Sequence, residues 1–290
     1  MRRFSERHGL IKAREAFQRG SIDSRLRNRL WSVTHEIFWQ DFGLFVKDDD
    51  VARFVFQRVW DGFFGKPVDE VSYRSDHNIK FLKQTFMEAR WNIFYDFIQF
   101  LADFSTVTGG GDPYSHVRML GEIFIGRCNE ILSAEKSAYR FVSGELCEIT
   151  DENEIAEIEI ATSGNDSFSS ARSHLAASLT LYASRDDPDY RNSIKEAISA
   201  IESAFSVING ERSANMAKAI ALAEKRGLAL HPALKEGILR IYGWTSDEAG
   251  VRHALFDGES TVGEAHARFM LVTCSSLLNF LISISNETVN

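Results

Sequence analysis

Arg252 and His253 stand side by side in the stretch Arg240–Phe256, RIYGWTSDEAGVRHALF, between two apolar helical patterns. These two residue types together can act on a phosphate. The planar guanidinium fork matches two phosphate oxygens. The imidazole gives and takes protons near neutral pH. Just upstream, Asp247 and Glu248 can orient the pair or cap the short helix after them. Arg240 is a second arginine within reach along the chain, and Glu202 sits among small and apolar residues on its helix as a candidate partner inside a bundle. The competing reading is structural: Arg252 pairs with Asp247, Glu248 or Glu202, and His253 packs or caps nearby without chemistry. His77, His116, His174, His231 and His266 read as isolated, and no HExxH or similar ligand spacing occurs, so no metal site is expected. Gly109, Gly110 and Gly111 form a glycine-rich loop, but no Lys-Ser/Thr comes after it and no strand precedes it, so it is not read as a phosphate loop. No cofactor is implied.

The elements that must position these residues are helical. The chain has 290 residues, enough for one large or two ordinary domains, and only 4 prolines. Its three cysteines, Cys128, Cys147 and Cys274, are scattered without a CxxC pair, which argues against a disulfide framework or thiolate zinc site and fits a reducing cytoplasm. A net charge of −8 argues against a surface coated in positive charge for nucleic acid. Residues 1–30 nevertheless hold nine Arg or Lys against three acids. Arg25, Arg27 and Arg29 are therefore weak candidates for contact with RNA, and a solvated face is the plainer reading. No apolar run comes after Arg2–Arg3, so no signal peptide is expected. The longest apolar segment, Phe269–Ser285, is interrupted by Asn279 and several serines and reads as a buried amphipathic helix in a soluble protein.

Taken in order, Leu26, Leu30, Val33 and Ile37 recur at helical spacing after a capping Asp23, and a second helix carries Val51, Val55 and Val59. One long helix is expected from about Asp76 to Phe104, its aromatics covering more than one face, and another from Tyr114 to Ala134. Two short strands flank the turn at Gly144. The acidic stretch Asp151–Ile160 reads as a helix with Ile155, Ile158 and Ile160 inward, and Ser163–Ser170 (SGNDSFSS) as a domain boundary. Beyond it, helices at about 170–183, 190–208, 214–225, 231–243 and 263–284 are joined by short links. The fold class is mainly α: a helical domain over 1–162 with a small β-hairpin, then an up-and-down helical bundle over 163–290.

The phrases FSERHGL (Phe4–Leu10), RLRNRLW (Arg25–Trp31) and YRFVSGELCEITDENEI (Tyr139–Ile155) resemble the N-terminal domain of AbiJ-type abortive-infection proteins. DPDYRNSIKEAISAIES (Asp187–Ser203), LHPALKEGILRIYGWTSDEAGVRHAL (Leu230–Leu255) and ARFMLVTCSSLLNFLI (Ala267–Ile282) resemble the HEPN-type helical domain of the same proteins. The resemblance implies a phage-defence protein whose second domain dimerises. Many HEPN domains cleave RNA without a metal, and others are inactive interaction modules. Their usual signature is Arg, four to six residues, then His, with two protomers meeting around one RNA phosphate. This sequence departs from it: upstream of His253 those positions hold Asp247, Glu248 and their neighbours, and the available arginines are Arg252 and Arg240. The spacing does occur from Arg3 to His8 and from Arg29 to His35. On one helix the latter pair is separated by about 600° of rotation and does not converge, so both are read as chance.

RNA cleavage at a dimeric Arg252–His253 site is therefore expected, in a cytoplasmic homodimer released by a phage-derived trigger. The alternative is a non-catalytic dimerisation or sensing module that binds RNA, nucleotide or a phage protein.

Overall fold

A computed structural model describes residues 17–39, 49–108, 112–184, 188–246 and 262–289. They are mainly helical with one small antiparallel hairpin. The chain groups into two compact units, Met1–Thr150 and Asp151–Asn290.

In the first unit, α1 (Ser24–Phe38) begins where the Asp23 carboxylate accepts from the Leu26 amide at 2.8 Å. It buries Leu26, Leu30, Trp31, Val33, Ile37 and Phe38, the stripe its spacing predicts. α2 (Asp49–Arg58) runs on into a π turn (Val59–Phe63) and stops at Gly65, whose φ of 62° favours glycine.

The single helix expected over 76–104 is two: α3 (Ser75–Glu88) and α4 (Trp91–Ala102), parted by extended backbone at Ala89 and Arg90. Neither residue is Pro or Gly, and the break is held from outside. The Arg27 guanidinium donates to the Phe86 carbonyl at 2.6 Å and lies over the Phe94 ring at 4.9 Å, so one side chain satisfies the end of α3 and covers the start of α4. Folding back also lets Phe86 stack on Phe97, with ring centroids 3.6 Å apart.

Next come a 3-10 turn (Asp103–Thr106) and α5 (Asp112–Ala134), against whose Gly121 that turn is pressed. The hairpin pairs β1 (Arg140–Val142) with β2 (Glu145–Cys147) in the register Arg140↔Cys147. Its turn residues Ser143 and Gly144 have φ of 47° and 90°, as a tight two-residue hairpin turn requires. Two side-chain amides pin it. Gln99 accepts from the Leu146 amide at 2.7 Å and donates to the Gly144 carbonyl at 2.9 Å, while Asn129 accepts from and donates to Phe141, both at 2.8 Å.

The second unit holds α6 (Glu152–Thr162), α7 (Ser169–Ala183), α8 (Tyr190–Asn209), α9 (Met216–Lys225), α10 (Pro232–Ser246) and α11 (Glu264–Val289). The acidic helix α6 packs in this unit, against α7 and α11, so the polar stretch 163–170 lies inside it. On α6, Ile158 and Ala161 are buried, whereas Ile160 is 57% exposed and points outward, contrary to expectation. A helix this short has one buried stripe, and positions 158 and 161 take it.

α7 and α8 form the closest pair. Ser178 and Ser193 each donate to the other's carbonyl at 2.8 Å, and His174 meets Glu196. The contacts 178–193 and 174–196 run in opposite order along the two helices, so the pair is antiparallel. α8 buries Ile194, Ala197, Ile198, Ile201 and Phe205 at the expected spacing. By length and composition alone, Glu264–Asn286 of α11 is able to cross a membrane. Its packing accounts for its apolar character: Ala267, Met270, Leu271, Cys274, Leu278 and Leu281 make one buried stripe, and the helix packs on α6, α7 and α8. Its polar residues are used as well, with Arg268 donating to Glu154 at 2.9 Å and Asn279 to Glu157.

Candidate functional site

Of the residues singled out by sequence, Asp247, Glu248, Arg252 and His253 lie outside the described residues. The ends that bracket them are held together: the Trp244 ring near the end of α10 is 5.9 Å from the His266 ring at the start of α11. Arg240, on α10, is 79% exposed and pairs with Glu236 one turn earlier at 2.9 Å.

Arg25, Arg27 and Arg29 stand on α1 in the first unit. Arg25 Nε and Arg29 Nη1 both donate to one oxygen of the buried Glu135 at 2.7 Å, and Arg27 bridges α3 and α4. Their spacing of two on a helix places Arg25 and Arg29 one turn apart on the same side, which is what a shared carboxylate needs. Burial lowers the Arg27 pKa, partly offset by Tyr95.

Glu202 falls in a cleft of about 380 Å³ built from three segments of the second unit. α7 contributes Ser170 and His174, α8 contributes Ser199, Glu202, Ser203 and Ser206, and the link into α9 contributes Arg212, Ser213 and Asn215. The local sequence explains the arrangement. α8 buries its Ile/Ala/Phe stripe, and that leaves 196, 199, 202–203 and 206 as a half-buried polar stripe along its flank. Gly210 ends α8 in the left-handed region at φ 64°, turning the chain so that Asn215 caps α9. The Asn215 side chain accepts from the Lys218 amide at 2.9 Å, and the first-turn amides of α9 have no acceptor within their own helix.

His174 is the member that sequence reading left isolated. Its Nδ1 is 2.7 Å from Glu196 Oε2, and a ring nitrogen fixed to a carboxylate sets the orientation of the other nitrogen. Ser199 and Ser206 spend their hydroxyls on carbonyls one turn back. The side chains of Ser170, Ser203, Ser213 and Arg212 make no hydrogen bond or ion pair among the described residues. The cleft thus presents donors without an internal acceptor, beside one carboxylate. Among the described residues no group of three or more His, Cys, Asp or Glu side chains is placed to hold a metal ion.

Fold and site define the class: a mainly α chain whose first unit is aromatic-rich with a small hairpin and whose second is a set of packed helices with a polar cleft. The family comparison identifies it further. The AbiJ N-terminal domain 4 model matches residues 2–163, more than half of the chain, and the chain belongs to that family. The AbiJ domain suggests a role in abortive-infection defence. No curated protein and no solved structure matches the chain.

Proposed function

We propose that the protein is an abortive-infection effector whose second unit is a HEPN-like domain that cleaves RNA, as a homodimer, at paired Arg252–His253 sites. The observation that carries the defence reading is the AbiJ N-terminal domain match over residues 2–163. Three features support the ribonuclease reading: the resemblance of 187–203, 230–255 and 267–282 to HEPN sequences, the packed helices of the second unit, and the clamped ends of the stretch that carries both residues.

Two copies of the site supply what metal-free cleavage needs. One His253 takes the proton of the 2′-hydroxyl as its oxygen bonds to phosphorus, and the other gives a proton to the departing 5′-oxygen as that bond breaks. Two copies of Arg252 stabilise the charge that builds on the phosphoryl oxygens. Glu202, Arg240, Asp247 and Glu248 are supporting residues, and a phage product is the trigger.

The test is induced expression of the wild type and of His253→Ala, with growth and total RNA measured together. Wild type is expected to arrest growth and fragment RNA. The variant is expected to do neither while keeping its circular dichroism, melting temperature and dimer. Undiminished toxicity in that variant sinks the reading. The direct adjacency of Arg252 and His253 favours a second reading, a non-catalytic module that dimerises and senses RNA, nucleotide or a phage protein. Purified protein that cleaves no class of RNA, with or without an activator, would support it.

A further inference from the structure

We propose that Arg240, Trp244, His266 and Phe269 form a guanine-reading patch that selects which RNA bond is cut. The inference rests on the cleavage proposed for Arg252–His253, since Trp244 and His266 stand on either side of that stretch in the chain and their rings are 5.9 Å apart. The patch is built across two helix ends. Arg240 is one turn before Trp244 on α10, and Phe269 is one turn after His266 on α11, so each pair shares a side of its helix. Trp244 is 37% exposed and Phe269 54%. Large rings open to water beside hydrogen-bonding groups are platforms on which unpaired bases stack.

Both polar side chains beside the rings offer donors. His266 Nδ1 accepts from the Gly263 amide at 3.3 Å. The neutral ring therefore carries its proton on Nε2, which donates. The Arg240 fork is paired with Glu236, and both side chains are exposed. A surface pair of this kind is worth little and yields to a better acceptor. Guanine presents the matching edge: O6 and N7 both accept, and an arginine fork meets the two together. Adenine puts an amino donor where guanine has O6, so the fork faces a donor. A pyrimidine covers less of the indole than either purine does.

The experiment is fluorescence anisotropy of the full chain with short, labelled 2′-O-methyl oligouridylates that carry one central guanosine, adenosine or cytidine, or none. These sugars have no 2′-hydroxyl to attack phosphorus, so binding is read whether or not the protein cuts RNA. The guanosine oligonucleotide is expected to bind about tenfold more tightly than the others. Arg240→Lys keeps the charge and loses the fork, and it is expected to lose about tenfold for guanosine alone. Trp244→Ala is expected to weaken all four by about tenfold, and Trp244→Phe to keep most of the binding. Phe280→Ala, three turns beyond Phe269 on α11 and also exposed, is the control and should bind as wild type does. Arg240 is exposed, so its variant should keep the wild-type melting temperature. Cleavage of RNA without a guanine preference sinks this inference and spares the ribonuclease reading, and guanine binding without cleavage does the reverse. Equal binding of the four oligonucleotides by wild type overturns the proposal, as does no binding of any, or a guanine preference that survives Arg240→Lys. So does a Trp244→Ala chain that turns from dimer to monomer with its binding intact, which would make the exposed rings a subunit contact.

Discussion

Gly121→Ala is expected to lower the melting temperature of the first unit by roughly 10 °C, a loss of about 3 kcal/mol, at the upper end of ordinary overpacking. A Cβ on Gly121 would meet the backbone of the 3-10 turn, with Phe104 C and Ser105 Cα both at 2.8 Å and the Ser105 amide nitrogen nearer still. Backbone has no rotamer to move into, so either the turn or α5 must shift. The turn is also where Phe104 is buried, edge-on to Phe38 and Phe100, so a shift there disturbs the aromatic core. Gly126, five residues on in the same helix, is the control. It is exposed and a Cβ there meets nothing within 4 Å. Gly126→Ala is expected to gain about 0.5–1 kcal/mol from helix propensity. Thermal melts of the two variants should therefore move in opposite directions. Two equal shifts would mean that the approach of turn and helix is not what the glycine serves.

Gly121 also shows where sequence reading stops. In a 23-residue helix both glycines look like tolerated interruptions, and only the backbone lying against one separates them. The periodic elements were legible because their cause is local: α1 and α8 bury the stripes their spacing announces, and Ser143–Gly144 announces its hairpin. The break between α3 and α4 was not, since it depends on Arg27, about sixty residues upstream, and on a Phe86–Phe97 stack that forms only once the chain has folded back. The cleft was half legible. Glu202 drew attention because it stood among small residues. His174 did not, because its partner Glu196 is on the next helix, and the serines around them read equally well as a wet face. The convergence of Arg212 on that face depends on how Gly210 turns the chain, which composition alone does not encode.

Arg172→Met is expected to destabilise the second unit by about 3 kcal/mol, because a buried guanidinium loses its charged hydrogen bonds to two helix-end carbonyls together. The stretch 163–170 has the composition of a linker, yet it is wrapped on this one side chain. Arg172 is buried, donates to the Ile160 and Ala161 carbonyls at 3.0 Å, and pairs with Asp166 at 2.7 Å. Its guanidinium lies against Gly164, whose φ of 109° suits glycine, at a spot where a Cβ would sit 3.3 Å away. One residue thus closes the C-terminal end of α6, where a cation is favoured, and fixes the entry to α7. Methionine keeps the stem and removes every donor, so the Ile160 and Ala161 carbonyls and the Asp166 carboxylate lose the arginine, although the Ser163 hydroxyl still reaches the Ile160 carbonyl and the Phe168 amide still reaches Asp166. Asp166→Asn should cost less, because that carboxylate is 41% exposed and water replaces part of the interaction. The hydrogen bond from Arg172 holds the Asp166 pKa below its usual value. A depressed carboxylate stabilises the fold above its unfolded pKa of about 3.9 and loses that contribution as pH falls through the folded value. The gap between wild type and Asp166→Asn should therefore be constant from neutral pH down to about pH 5 and close below about pH 4. The gap to Arg172→Met should narrow but persist, because the helix carbonyls do not titrate. Chemical denaturation of the three proteins across that range checks both. If Arg172→Met and Asp166→Asn cost the same at neutral pH, the arginine serves the carboxylate alone, and the polar stretch is the loose linker that its composition suggests.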